Sequence, residues 1–189
     1  MSAFEFLFTL YSLILGLALT EILSGLGRAL ELRMARKDEA EFTIGWLTPL
    51  LAVFVILDLL SFWVAAWGVR EQIAVSPAVM FGIVLFCCAY FLAARMVFPS
   101  EPERFADLDN HYFRVRRLVM GILIALIAAQ WAFYATIPAI SAAAFQPFPI
   151  AMTVLLVAMM AATLVFRKEW INGALLVLLS ARYIYLYLA

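Results

Sequence analysis

The chain has 189 residues and is 67% hydrophobic, against roughly 45–50% apolar residues in a soluble domain. Thirteen basic and thirteen acidic side chains cancel, so no positive surplus exists to neutralise phosphates, and no nucleic-acid partner is expected. A domain this small cannot hide so much apolar surface in one aqueous core, and a lipid bilayer is its expected surroundings.

The start, MSAFEFLFTLYS, lacks a basic leader and carries Glu5, so the first apolar run is expected to stay in the mature protein. A bilayer-crossing helix needs about 20 mainly apolar residues. Six runs qualify: Phe4 to Gly27, Ile44 to Val69, Ala78 to Phe98, Leu118 to Ile137, Phe148 to Phe166 and Ile171 to Leu188. The expected fold is therefore all-α, a polytopic transmembrane bundle forming one integral membrane domain over residues 1–189. Short links predict that neighbouring helices pack as antiparallel hairpins.

The links set the orientation. Basic residues crowd the first (Arg28, Arg33, Arg36, Lys37), the third (Arg104, Arg114, Arg116, Arg117) and the fifth (Arg167, Lys168). The second offers Arg70 and the fourth none. Odd links are thus expected in the cytoplasm and both termini outside, in a cell membrane of bacterial inner-membrane type. Trp46 and Trp170 fall at the cytoplasmic interface, and Trp67, Tyr134, Tyr185 and Tyr187 near the outer one. The KDEAE stretch closing the first link reads as a solvated extension of span one.

The third link looks structured. Ser100, Glu101, Pro102 and Glu103 have the chemistry of a helix start. Phe105, Leu108, Tyr112, Val115 and Val119 then recur at helical spacing. An amphipathic interfacial helix running into span four is expected, with Arg114, Arg116 and Arg117 meeting anionic headgroups. Asp107 and His111, four apart, could share a face, but one histidine with flexible acids makes a poor metal site, and no metal is assigned. A shift of 68 positions also lays Trp63 on Trp131 and AARMVF on AATLVF, a weak trace of a parallel repeat.

Charges within spans are expensive and should turn inward to partners. Matching depths pairs Glu21 with Arg95 and Asp58 with Arg182. On span one, Ser12, Gly16, Thr20 and Ser24 form a small-residue ridge suited to close helix packing. Gly121, Ala125 and Ala129 repeat the pattern on span four. Ser61, Gln130 and Tyr134 could line a polar path with Asp58 and Arg182, although packing alone would also explain these faces.

Cys87 and Cys88 are adjacent, so they form neither a spaced redox pair nor a metal clip. The single His111 rules out a haem held by two histidines of one chain. Phosphate-binding, dinucleotide, nucleophile-elbow and zinc motifs are all missing, so neither a cofactor nor a self-contained enzyme is expected. An intramembrane enzyme acting on lipids would need a cavity open sideways to the bilayer near Glu21 or His111. Two other functions remain open. One is a transporter or channel for a small solute or ion, assembled as a homo-oligomer through the ridge of span one. The other is a non-catalytic module (accessory subunit, assembly factor or sensor) packing against another membrane protein or lipid.

Overall fold

A computed structural model describes residues 3–35 and 42–188. In chain order these form α1 (Ala3–Ala35), α2 (Leu47–Gly68), α3 (Pro77–Val97), a 3-10 turn (Pro102–Arg104), α4 (Leu108–Ala135), α5 (Pro138–Ala144), α6 (Pro147–Val165) and α7 (Glu169–Leu188). All but α5 and the 3-10 turn are long and apolar enough to cross a membrane, which makes six spans. In each, only 17–39% of the most apolar stretch is buried in the chain. Side chains such as Leu13, Phe81, Leu85, Val154 and Leu178 face outward, so the fold presents hydrocarbon to its surroundings on every side. The fold is an all-helical membrane bundle.

Helix ends explain the differences from the predicted boundaries. α1 runs eight residues beyond Gly27 and is about 50 Å long, well over the roughly 30 Å hydrocarbon thickness. The KDEAE stretch, with Arg36, lies outside the described residues. α2 starts at Leu47 because Gly45 turns the chain with φ +65°. The link between α4 and α6 holds an unforeseen two-turn helix, α5, which Pro138 opens at its first position.

Packing departs from simple hairpins. α1 lies chiefly along α3, and α2 along α7, while the consecutive α2 and α3 splay apart. Leu7, Tyr11, Leu15, Ala18, Ile22, Gly25 and Ala29 form the buried face of α1. Gly25 is needed there, because a Cβ would stand 2.5 Å from Phe98 Cβ.

The three basic links meet at one end of the bundle, the basic end. Thr43 N–H donates to Ala106 O (2.9 Å) and Leu108 N–H to Thr43 O (3.1 Å), which bridges links one and three. The N-terminus of α2 has no cap of its own. Asp109, in the first turn of α4, supplies it: its carboxylate accepts from Leu47 N–H (2.9 Å) and Trp46 N–H (3.3 Å). Thr48 Oγ1 donates to Leu108 O at 2.7 Å. A Cβ on Gly45 would collide with the Asp109 carboxylate, so its backbone angle and the close approach both require glycine.

The amphipathic stretch before span four is continuous with it. Asp107 caps α4 by accepting from Asp109 N–H at 2.9 Å, so the helix begins at Leu108, and Ser100 heads only the short 3-10 turn. Leu108, Tyr112, Val115 and Val119 are buried against the rest of the chain. Arg116 is also buried, correcting its expected place among headgroups. It donates to Thr163 O and Phe166 O, the carbonyls ending α6, and to Asn172 Oδ1 at 3.0 Å. Asn172 Nδ2 donates to Phe166 O and Lys168 O and closes the tight α6–α7 hairpin. Tyr112 Oη donates to Asn172 Oδ1 at 2.8 Å.

Removing the borrowed cap tests this junction. Asp109→Ala should lower stability by about 1–2 kcal/mol, with Asp109→Asn retaining part of it, measured by denaturation in mixed micelles. An unchanged Asp109→Ala midpoint would show that α2 does not depend on α4 for its start.

Candidate functional site

Asp58 stands in the middle of α2 and is buried. Tyr183 Oη donates to its Oδ1 at 2.5 Å. Tyr90 Oη lies 3.1 Å from Oδ2 and 2.8 Å from Val55 O, so one hydroxyl hydrogen serves two acceptors. Tyrosines from α3 and α7 therefore hold the carboxylate from two sides. The expected Asp58–Arg182 ion pair is not formed: among the described residues, Arg182 has no carboxylate within 4.0 Å. Its guanidinium lies 5.1 Å from the Tyr183 ring centroid, and its buried Nε and one terminal nitrogen have no hydrogen-bond partner. The correction has a geometric cause. Tyr183, next to Arg182 on α7, takes the carboxylate first.

Asp58 and Arg182 face one polar chamber of about 110 Å³ between α2, α4, α6 and α7. Ser61, Gln130 and Thr153 add hydroxyl and amide groups to its wall. A chamber of this size accepts a few waters or one small solute. One turn towards the basic end, the same four helices contribute Phe54, Leu123, Met160 and Leu179, all fully buried. That apolar layer lies between the chamber and the basic end.

On the other side of α2 and α4 lies a second, larger chamber of about 730 Å³, bounded by α1, α2, α3 and α4. It occupies the space left where α2 and α3 splay. Its wall is almost wholly apolar, with Phe8, Phe86, Leu126 and Phe133 prominent and small residues such as Gly82 and Ala129 making room. Phe62 and Gln130 border both chambers. The chamber is open to its surroundings along one side, where Leu85, Gly82 and Ala129 are exposed.

Tyr134, expected on the polar path, instead lines the apolar chamber, where its hydroxyl accepts from Gln130 Nε2 at 2.9 Å. The structure brings Glu21 and Arg95 together at 3.0 Å, about a third exposed, and Arg95 also donates to Ser100 Oγ at 3.2 Å. The ridge on α1 does not pack within the chain. Gly16, Thr20 and Ser24 are exposed and Ser12 is half-buried, its Oγ accepting from Trp63 Nε1 at 2.9 Å. A Cβ on Gly16 or Gly121 would meet nothing within 4 Å. Arg114 and Arg117 are exposed at the basic end, with Arg114 over the Phe105 ring. His111 Nε2 engages Met96 O at 3.2 Å, and Asp107 is committed to its cap. No cluster of three metal-ligand types occurs among the described residues.

Sequence reading missed Tyr90, Tyr183, Tyr11 and Asn172. The last had a usable signal, a carboxamide in an apolar span. The tyrosines had none beyond depth, since amphipathic rings are common in spans and only tertiary contact shows which hydroxyl meets Asp58.

Tyr183→Phe should destabilise the bundle by about 1–3 kcal/mol, because it leaves a buried carboxylate oxygen short of its donor. Tyr187→Phe, whose exposed hydroxyl donates to Leu57 O, should shift stability by no more than about 0.5 kcal/mol. Equal effects in a denaturation series would show that Tyr183 is not a principal donor to Asp58. No family model, curated protein or solved structure matches this chain.

Proposed function

We propose that this multi-pass membrane protein is a small carrier, not an enzyme, and that a small anion bearing a carboxylate is received in the polar chamber by Arg182. One observation carries this reading. Asp58 is engaged by two tyrosines, whereas Arg182, facing the same cavity, keeps two buried nitrogens without partners. Asp58 across the chamber lessens the cost of this cation without touching it, and a bound anion would supply the hydrogen-bond acceptors that its free nitrogens lack. Ser61, Gln130 and Thr153 would share the remaining lone pairs of the solute.

The buried layer of Phe54, Leu123, Met160 and Leu179 favours a carrier over an open channel. Access from the end opposite the basic links would alternate with access through that layer. Basic links gathered at one end are what the positive-inside rule associates with the cytoplasm, and on that basis the termini are assigned outside, in a bacterial inner membrane.

A second reading, the non-catalytic module, draws on the outward-facing ridge of Ser12, Gly16, Thr20 and Ser24. Such a face suits another transmembrane helix, from a second copy or from a partner protein. Recovery from native membranes in fixed ratio with one partner would favour it.

Transport is tested with purified protein in liposomes and radiolabelled acetate and lactate. Uptake above empty liposomes is expected, reduced at least about ten-fold in Arg182→Gln, as for loss of a buried charge-assisted bond, and partly kept in Arg182→Lys. Uptake of neither probe, or equal uptake by Arg182→Gln, would overturn the proposal.

A further inference from the structure

The apolar chamber contains a polar group that nothing in the chain uses. Tyr11, on the buried face of α1, is 7% exposed and lines this chamber. Its ring stacks on Phe8, yet among the described residues its hydroxyl has neither a donor nor an acceptor partner. The residue is buried but its oxygen is not among the fully enclosed polar atoms, so the unpartnered hydroxyl opens on the chamber. Tyr134 borders the same space. Its hydroxyl accepts from Gln130 and retains its own hydrogen. Two O–H donors thus border a cavity whose wall is otherwise almost wholly hydrocarbon, with Gln130 beside Tyr134.

We propose that this chamber binds a lipophilic molecule from the bilayer, a single hydrocarbon chain ending in a hydrogen-bond-accepting oxygen. The chain would lie among Phe8, Phe86, Leu126 and Phe133, and the oxygen would accept from Tyr11 and Tyr134. A volume of about 730 Å³ lies in the range of sites that enclose organic ligands, roughly 300–1,000 Å³. A carboxylic acid and a quinone carbonyl both present the required oxygen; the chamber's chemistry is common to them. This site stands apart from the polar chamber and does not rest on Arg182.

The experiment uses the full-length protein in detergent, with binding of oleate, decylubiquinone and hexadecane followed by native mass spectrometry. Oleate or decylubiquinone should bind one per chain and tighter than hexadecane, which has the chain but no oxygen. Tyr11→Phe should weaken the preferred probe about five-fold, the worth of one hydrogen bond, and leave hexadecane unchanged. Gly82→Leu should abolish binding of all three. A Cβ at Gly82 meets nothing within 4 Å, so the new side chain has room to grow into the cavity, and an unchanged elution profile checks the fold. Arg182→Gln should change none of these values. Preference for oleate over decylubiquinone, or the reverse, identifies the source of the oxygen. The proposal is overturned by equal affinity for hexadecane, by no effect of Tyr11→Phe on either oxygenated probe, or by undiminished binding to Gly82→Leu.

Discussion

Hydrocarbon supplies no hydrogen bonds, so a polar group carried into the membrane must find its partner within the protein. Most of the architecture follows from that constraint. Backbone groups are satisfied by helices. The ends of those helices, where carbonyls and amides run out of intrahelical partners, are served by side chains borrowed from elsewhere in the fold. Asp109 of α4 completes the start of α2, and Arg116 with Asn172 completes the end of α6. Asp58 is met by hydroxyls from two other helices. Most of these bonds join elements distant in sequence, so satisfying polar groups and holding the bundle together are one task.

Against that background the exceptions carry information. Arg182 and Tyr11 stand on opposite sides of the α2–α4 wall, each facing a cavity: Arg182 keeps two buried nitrogens without partners, and the Tyr11 hydroxyl opens on apolar space. The two cavities differ as their unpaired groups do: one is small and lined by polar side chains, the other large and lined by hydrocarbon. Both lie away from the basic end, where Leu47, Leu51, Phe54, Tyr112 and Met120 are buried.

Much of the fold was legible because hydrocarbon imposes a simple length rule. Six apolar runs became six spans, and the Glu21–Arg95 contact followed from equal depth alone. The misreadings share one cause: depth is one coordinate, and side chains meet in three. Asp58 and Arg182 share a cavity, but Tyr183 intervenes. The ridge of Ser12, Gly16, Thr20 and Ser24 has the small residues of a packing face, but α1 turns its larger residues, Leu7, Leu15 and Ile22, towards α3 instead. Arg116 carries the charge expected of a headgroup contact, and only the nearness of the α6 terminus shows why it is inside. Helix starts were misjudged where a partner element, not the local sequence, provides the cap.

Everything rests on six membrane crossings that gather links one, three and five on one face. Single cysteines at Glu71, Glu103, Ser141 and Arg167, in a chain with Cys87 and Cys88 replaced by alanine, can be tested in sealed vesicles with a membrane-impermeant maleimide. Positions 103 and 167 should react together from one side, and positions 71 and 141 together from the other. Labelling of positions 71 and 103 from the same side would contradict the crossing pattern, and with it the inward placement of Asp58 and Arg182.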